Sequence, residues 1–545
     1  MGQHQTTQVT SPTSNRPKKI PHSSESDTKH NNNRETRTKL SLIDIQKCFS
    51  LSEGTSFIST QARNFLPSSM NQYSILNLAA NEKLVQILSQ RILQELAKNE
   101  QTQDTNNTAT QEITTSMLEQ KLEQCKEHAK ERVFSLLESD DVSRMEESRA
   151  FACFLGLMIG DAMGSPLEFS PCRFPQNITH EKQMLVEKAW KNDPEFFELT
   201  SMSDKHVWTK PNYNRFELKP GQYTDDSSMA LCVLDTFVTK VLDEIYLKEC
   251  QKDLPPSDID FDFNGRDMRL RFLNWWYFGY NNAFGKDETH TGAGSSCGLG
   301  GNIKQSLVEF MKNPSSEVTL AGDLTTSGNG SIMRNAPIPI VCLKHLSNNN
   351  STETLEKVMK MAYKQSKTTH QGEEAAELCR LLTLIVVKAV KADASLSPLQ
   401  VKQQIFDSLH DGEFVSTLPS VNCLVRSQVE NNDVASRNWN WLDVNYTFCK
   451  DRIQRDPGYC GSYAMDAMAM ALHNIYYTDN FVDAILLTTN MRGDSDSVGA
   501  VVGQIAGAIY GLRQTPRQWL ETILQWDYNR DILLRLSIIY SHDLS

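Results

Sequence analysis

RGDSDSVGAVVGQIAGAIYGLR, residues 492–513, sets two aspartates one residue apart in front of a segment with a glycine at every fourth position. Gly499, Gly503, Gly507 and Gly511 fall on one stripe of an α-helix. Each costs about 1 kcal/mol against alanine in a helix interior, so the stripe calls for a compensating gain, a second backbone packed very close. A membrane-spanning G-x-x-x-G helix is excluded, because the apolar stretch is about 15 residues with Gln504 inside it, against roughly 20 needed to cross a bilayer. The segment reads as a buried helix of a soluble domain. Packing accounts for the glycines and leaves Asp494 and Asp496 unexplained.

The 545-residue chain has room for two to four domains, or for one large domain with appendages. Its 55 Lys+Arg against 67 Asp+Glu give a net charge of −12, with no basic stripe, so no nucleic-acid partner is expected. The twelve cysteines are scattered, without C-x-x-C or a Cys/His cluster. That argues against a disulfide framework or a zinc site and for a reducing, cytoplasmic setting. No apolar run long enough to cross a membrane and no signal peptide is evident.

Residues 1–40 are rich in Thr, Ser, Asn, Gln and His and are expected to be a disordered tail. Their opening MGQHQT fits the myristoylation pattern at Gly2, with Thr6 in place and Arg16, Lys18 and Lys19 as a second, electrostatic signal. Membrane association is expected only if Gly2 is so modified. Residues 41–148 form a helical extension of unassigned role. LVQILSQRILQEL (84–96) carries Leu84, Ile87, Leu88, Ile92 and Leu93 at helical spacing, and a second helix is expected over 117–137. From 149 to 545 long apolar-periodic stretches alternate with short loops of Gly, Asp, Ser and Thr, which predicts an all-α domain.

Four loops carry chemistry. GLMIGDAMGSPLEF (156–169) reads as a Gly-bounded loop holding Asp161 and Glu168. In GQYTDDSSMALCVLDT (221–236), Thr224 is a candidate N-cap, and Asp225 and Asp226 fall in the first turn, where the helix dipole favours negative charge. DLTTSGNGSIMRNAPIPI (323–340) contains Ser327, Gly328, Asn329, Gly330 and Ser331, a loop able to offer backbone N–H groups to an anion. The fourth is Asp494, Asp496 and Ser497. Acid plus hydroxyl before two buried helices suggests one site; if they converge, the carboxylates repel unless a divalent cation balances them. An all-oxygen donor set suits Mg²⁺, Mn²⁺ or Ca²⁺ over Zn²⁺. An EF-hand is excluded, since Val498 and Ile505 occupy positions that need ligands. Helix capping alone is the competing explanation.

GDAMGSPLEF, YTDDSSMAL, TSGNGSIMR, SKTTHQ and GDSDSVGAVVGQIAGAIYG, in this order, resemble the ADP-ribosylglycohydrolase family, including the dinitrogenase-reductase-activating glycohydrolases. The resemblance spans about 149–530 and leaves the first 148 residues untouched. It implies a compact all-α domain with a binuclear Mg²⁺ or Mn²⁺ centre that hydrolyses the bond between ADP-ribose and an acceptor side chain. By the same resemblance, Thr224, Asp225 and Asp226 would be metal ligands from one side, and Asp494, Asp496 and Ser497 from the other. Ser497 and Ser227 stand where the family usually has Thr. Glu168 would gate the site or share in catalysis with Asp225 and Asp226. Ser327–Ser331 would hold the pyrophosphate, and His370 and Tyr463 would lie against ADP-ribose. GAGSSCGLGGN (292–302) resembles a structural loop of the family, with Cys297 a bystander.

The glycine stripe is expected to bring the helix after GDSDS close to the helix after TDD, as a two-metal site requires. An arginine-linked acceptor is slightly favoured; serine-linked ADP-ribose, poly(ADP-ribose) and O-acetyl-ADP-ribose stay open. A non-catalytic ADP-ribose-binding protein is a second reading. A two-metal phosphoesterase would use similar ligands but leaves SGNGS and TTHQ unexplained. The expected partner is an ADP-ribosylated protein or an ADP-ribose-containing small molecule, met by a monomer.

Overall fold

The structure, a computed structural model, describes residues 83–84, 86–95, 115–173, 208, 213–250, 262–287, 296–347, 351–430, 437–444, 446–447 and 450–543. The polar tail and Gly2 lie outside them. By internal contacts the chain divides into Met1–Ser50 and Leu51–Ser545, and every described residue belongs to the second unit.

Two segments of the extension are part of that unit. In the helical residues 83–84 and 86–95, Leu84, Ile87, Leu88 and Ile92 face inward as their spacing predicts, while Leu93 is exposed. Helix α1 (Thr115–Glu138) buries Leu118, Cys125, Ala129, Val133 and Leu136, again at 3/4 spacing. Its Arg132 and Arg144 beyond it both pair with Glu147, in the first turn of the next helix.

That helix, α2 (Met145–Gly164), is buried from Glu147 to its end. The helical run Val142–Leu167 is long and apolar enough to cross a membrane, yet all of its apolar window is buried inside the protein, so it is a core helix. Against it pack α3 (Asp225–Cys250), α5 (Glu373–Val390), α7 (Phe481–Asn490), α8 (Ser495–Tyr510) and α9 (Ile532–Ser541), with α4 (Ser351–Lys367) against α5 and α6 (Ala464–Tyr477) against α8. The fold is all-α: among the described residues there is no strand, only isolated bridges such as Gly328 to Tyr463.

The partner of the glycine stripe differs from the expectation. It is α2, not α3, that lies against α8. A Cβ built on Gly499, Gly503 or Gly507 would fall 2.5, 1.9 or 2.0 Å from the carbonyl oxygens of Gly160, Gly156 and Ala152. The reason is in the sequence: Gly156, Gly160 and Gly164 form a second stripe at the same spacing. Residues 156–164 are the last turns of α2 and not a loop, and Pro166 in the 3₁₀ turn Ser165–Leu167 follows their end. Gly511 stands past the end of α8, beside the Ser148 side chain. Gln504, the polar residue within α8, donates to the Ile332 and Met333 carbonyls and so fixes α8 to the segment after Ser331.

Candidate active site

Three helix ends meet. Asp161, one turn before the end of α2, accepts hydrogen bonds from the backbone N–H of Thr224 (3.0 Å) and of Ser227 (2.9 Å), and from the Thr224 hydroxyl (2.8 Å). It therefore caps α3 from another helix and satisfies donors that α3 cannot satisfy itself. Thr224 does not act as a simple N-cap: its hydroxyl also lies 3.3 Å from a carboxylate oxygen of Asp226 and of Asp496.

The carboxylates form two overlapping groups. Asp161, Asp226 and Asp496 bring ligand oxygens within 4.8 Å of one another, and so do Glu168, Asp494 and Asp496. Asp225 lies beneath Gly298, where a Cβ would fall 1.9 Å from its Oδ1. The left-handed backbone of Gly298 (φ +83°) and this close approach both require glycine. Burial first, and then the neighbouring carboxylates, push Glu168, Asp225, Asp226 and Asp496 well above the usual carboxylate range. Burial raises Asp161 as well, against the hydrogen bonds it accepts. Asp226 Oδ1 and Glu168 Oε2 are buried with no hydrogen-bond partner among the described residues. Unpartnered buried oxygens in an all-oxygen donor set fit a hard divalent cation, which these acidic residues could hold.

Glu168 is held by a strained pair of loops. Phe169 has φ +62°, rare for a bulky residue, and Arg492 and Gly493 have φ +64° and +72°. Phe169 N donates to Gly493 O (2.8 Å) and Gly493 N to Ser170 O (3.0 Å), which locks the Glu168 loop to the loop that delivers Asp494. Asp494 N donates in turn to Cys460 O, and Ser497 sits in the first turn of α8 with its hydroxyl toward Met333 Sδ.

The Ser327–Ser331 loop lies alongside. Asn329 Nδ2 donates to Asp494 Oδ2 (3.1 Å), so the loop is tied directly to the acidic cluster. Part of the loop is internally engaged. Asn329 N donates to Ser462 O, Ser327 Oγ lies 3.3 Å from Ala375 N at the start of α5, and Ser331 is buried against Ser366. His370 packs beneath Gly328 and Gly330. Tyr463 bridges to Gly328 by its backbone, while its hydroxyl contacts Glu374 and receives a hydrogen bond from Arg437 (2.7 Å).

Two neighbours differ from the sequence reading. Asp161, expected in a loop, joins the cluster from the last turns of α2. Cys297, read as a bystander, lies beside the carboxylates: burial, and then Asp225, Asp161, Glu168 and Asp496, raise its thiol well above the ordinary value. No spacing signal marks it.

A family model described as ADP-ribosylglycohydrolase matches residues 143–542. The chain is 26% identical over 377 residues to the ADP-ribosylarginine hydrolase Tri1 of Serratia proteamaculans (strain 568), covering 69% of this chain and 75% of that protein. It is 28% identical over 376 residues to the ADP-ribosylarginine hydrolase Tri1 of Pseudomonas putida (strain GB-1), covering 69% and 74%. Among solved structures, an ADP-ribosylglycohydrolase-related protein complex aligns with a TM-score of 0.45 at 21% identity, over 73% of this chain and 99% of that one.

Proposed function

The chain belongs to the ADP-ribosylglycohydrolase family, and from that premise we propose that it hydrolyses the bond between ADP-ribose and an arginine side chain of a protein. The arginine acceptor is favoured by the two relatives named as ADP-ribosylarginine hydrolases, each aligned over 69% of this chain. The observation that carries the reading is the pair of carboxylate groups sharing Asp496, with buried oxygens of Asp226 and Glu168 left without a hydrogen-bond partner among the described residues.

Thr224, Asp225, Asp226, Asp494, Asp496 and Ser497, with Asp161 beside them, are the residues that would hold two Mg²⁺ or Mn²⁺ ions. Such a centre, when bound, supplies positive charge that orients ribose hydroxyls and acidifies a water. The rest falls to the chain. Cleavage at the anomeric carbon develops oxocarbenium character, which a nearby carboxylate stabilises. Water adds to that carbon and gives up a proton, the bond to the side-chain nitrogen breaks, and the nitrogen takes a proton. Glu168, with Oε2 unpartnered among the described residues and Asp494 and Asp496 as neighbours, would move that proton. The Ser327–Ser331 loop and His370 would hold the diphosphate and ribose, and the Asn329 bond to Asp494 couples that grip to the reacting end.

The test uses the full chain with arginine- and serine-linked ADP-ribosyl peptides, following free ADP-ribose with Mg²⁺, Mn²⁺ or EDTA. Release from the arginine linkage alone, lost in EDTA and in Asp225→Ala, is expected. Release from serine alone would overturn the acceptor, and ADP-ribose binding without release from either would overturn catalysis.

A further inference from the structure

Arg334 is a buried guanidinium with no carboxylate bonded to it among the described residues. It is fully buried, stacked 4.3 Å from the centre of the Phe272 ring, and its donors go to neutral groups: Nε to Gln365 Oε1 (2.8 Å), Nη2 to Thr369 Oγ1 (2.7 Å) and more weakly to Thr368 Oγ1 (3.4 Å), with Nη1 3.6 Å from Met229 Sδ. Keeping a charge here needs a reason beyond pairing.

The Thr369 contact gives one. A guanidinium only donates, so Thr369 Oγ1 must accept from Arg334. The same oxygen lies 2.8 Å from His370 Nδ1, and that ring nitrogen is the acceptor the structure offers for the Thr369 hydrogen. With the Thr369 hydrogen given to it, His370 Nδ1 accepts, and the ring proton then sits on Nε2. Nε2 has no hydrogen-bond partner among the described residues, although the side chain is 98% buried. It faces the Ser327–Ser331 loop at the two places where side chains are missing: a Cβ on Gly328 would lie 3.5 Å from Nε2, and one on Gly330 3.3 Å.

We propose that Arg334 is a positioning residue for the ligand site: acting through Thr369, it fixes His370 as the neutral tautomer that offers Nε2–H to an acceptor oxygen of ADP-ribose at the glycine loop. The ligand part of this rests on the function proposed above; the tautomer part does not. His370 is therefore a hydrogen-bond donor and not a general base. Burial, with Arg334 and Lys367 nearby, holds the imidazole neutral, its pKa pushed down to about 3. An acceptor-only oxygen, such as a phosphate oxygen, is what such a donor selects.

The experiment is ¹⁵N NMR of the histidine rings in the full chain, with the His370 signals assigned by their loss in His370→Gln, alongside titration with ADP-ribose. Wild-type His370 is expected to show the Nε2–H tautomer at neutral pH. Thr369→Val, nearly isosteric, should release that tautomer and weaken ADP-ribose binding on the order of tenfold, the worth of one buried hydrogen bond. Thr369→Ser should restore both. Because Arg334→Met risks unfolding, the Thr369 pair carries the test. An Nδ1–H tautomer or an imidazolium in the wild type overturns the proposal, as does an unchanged tautomer in Thr369→Val. A relay that behaves as stated in a protein that binds no ADP-ribose supports Arg334's hold on His370 and refutes the functional reading instead.

Discussion

Replacing Gly503 with alanine tests whether the α2–α8 contact sets the site. The added Cβ would lie 1.9 Å from Gly156 O, 2.4 Å from Gly156 C and 2.9 Å from Leu157 N, all backbone atoms that no rotamer change can move. Ordinary contact begins near 3.4 Å, so the helices must part by about 1.5 Å (3.4 − 1.9). Alanine returns about 1 kcal/mol of helix propensity, while overpacking costs about 1–3 kcal/mol and more where relief is blocked. The clash should win by roughly 2 kcal/mol, which lowers the melting temperature by only about 2–4 °C in a domain of this size. Activity is the sharper reading. Asp161 lies five residues beyond Gly156 on α2 and Asp496 seven before Gly503 on α8, so the displacement reaches both carboxylates. A misplacement of about 1 Å costs on the order of 10²-fold in rate. The assay is ADP-ribose release at saturating Mg²⁺ with a thermal melt, and Gly301→Ala is the control, since its Cβ would meet nothing within 4 Å. Wild-type turnover and melting in Gly503→Ala would refute the claim that backbone contact fixes the site.

Glu168→Gln keeps shape and removes proton transfer. It should lower kcat by about 10²–10⁴-fold while Mg²⁺ still raises the melting temperature; a loss of the Mg²⁺ response instead would make Glu168 a ligand. The raised carboxylates of Asp161, Glu168, Asp225, Asp226 and Asp496 mean that the metal-free fold keeps protons that the unfolded chain has released. Their contribution is complete below the ordinary carboxylate range and is lost as pH rises through the raised values. The melting gap between Mg²⁺-loaded and EDTA-treated protein should therefore widen as pH rises above the ordinary carboxylate range, and parallel curves would sink the argument. His345, His370 and His473, held neutral by burial with pKa values near 4, 3 and 4, act in the opposite sense but equally in both samples. Arg535→Met strips the Asp235 carboxylate of its buried ion pair (3.0 Å) and should cost about 3–5 kcal/mol in urea unfolding; a change under 1 kcal/mol would show that Tyr280 and Asn281 suffice to satisfy Asp235.

What the sequence made legible follows from what each feature needs. TDD and DSDS are legible because acids and hydroxyls before buried helices have no packing rationale, and the structure brings Asp226 and Asp496 into one group. The glycine stripe announces a close partner but cannot say which, since closeness is a property of two chains of atoms and only one was read. The partner's own stripe, Gly156, Gly160 and Gly164, was in view and read as a loop, because glycine lowers helix propensity unless packing repays it. The role of Asp161 is hidden for a related reason: it caps a helix that begins 64 residues later (225 − 161), and no local pattern encodes that. Arg334 and Thr369 lie within quoted motifs, yet their bond joins two loops and has no linear signal.

These particulars share a consequence for how the site is built. Asp161 links α2 to the start of α3 by hydrogen bonds, the glycine contacts link α2 to α8, and Asn329 links the glycine loop to Asp494. The relative positions of Asp226, Asp496 and Asp494 are thus set by backbone contacts and short side chains, which have little rotamer freedom to lose. The repulsion among the carboxylates is opposed by the fold itself, and a cation has charge to balance more than helices to assemble. That separates this centre from small metal-folded domains, where the ion's binding energy is the folding energy. It also fits the place of Gly160, Gly164 and Gly499, glycines in helix interiors, and of Phe169 at positive φ, beside the acids. Strain persists where the surroundings over-determine it, and here the surroundings are the three helix ends that must meet.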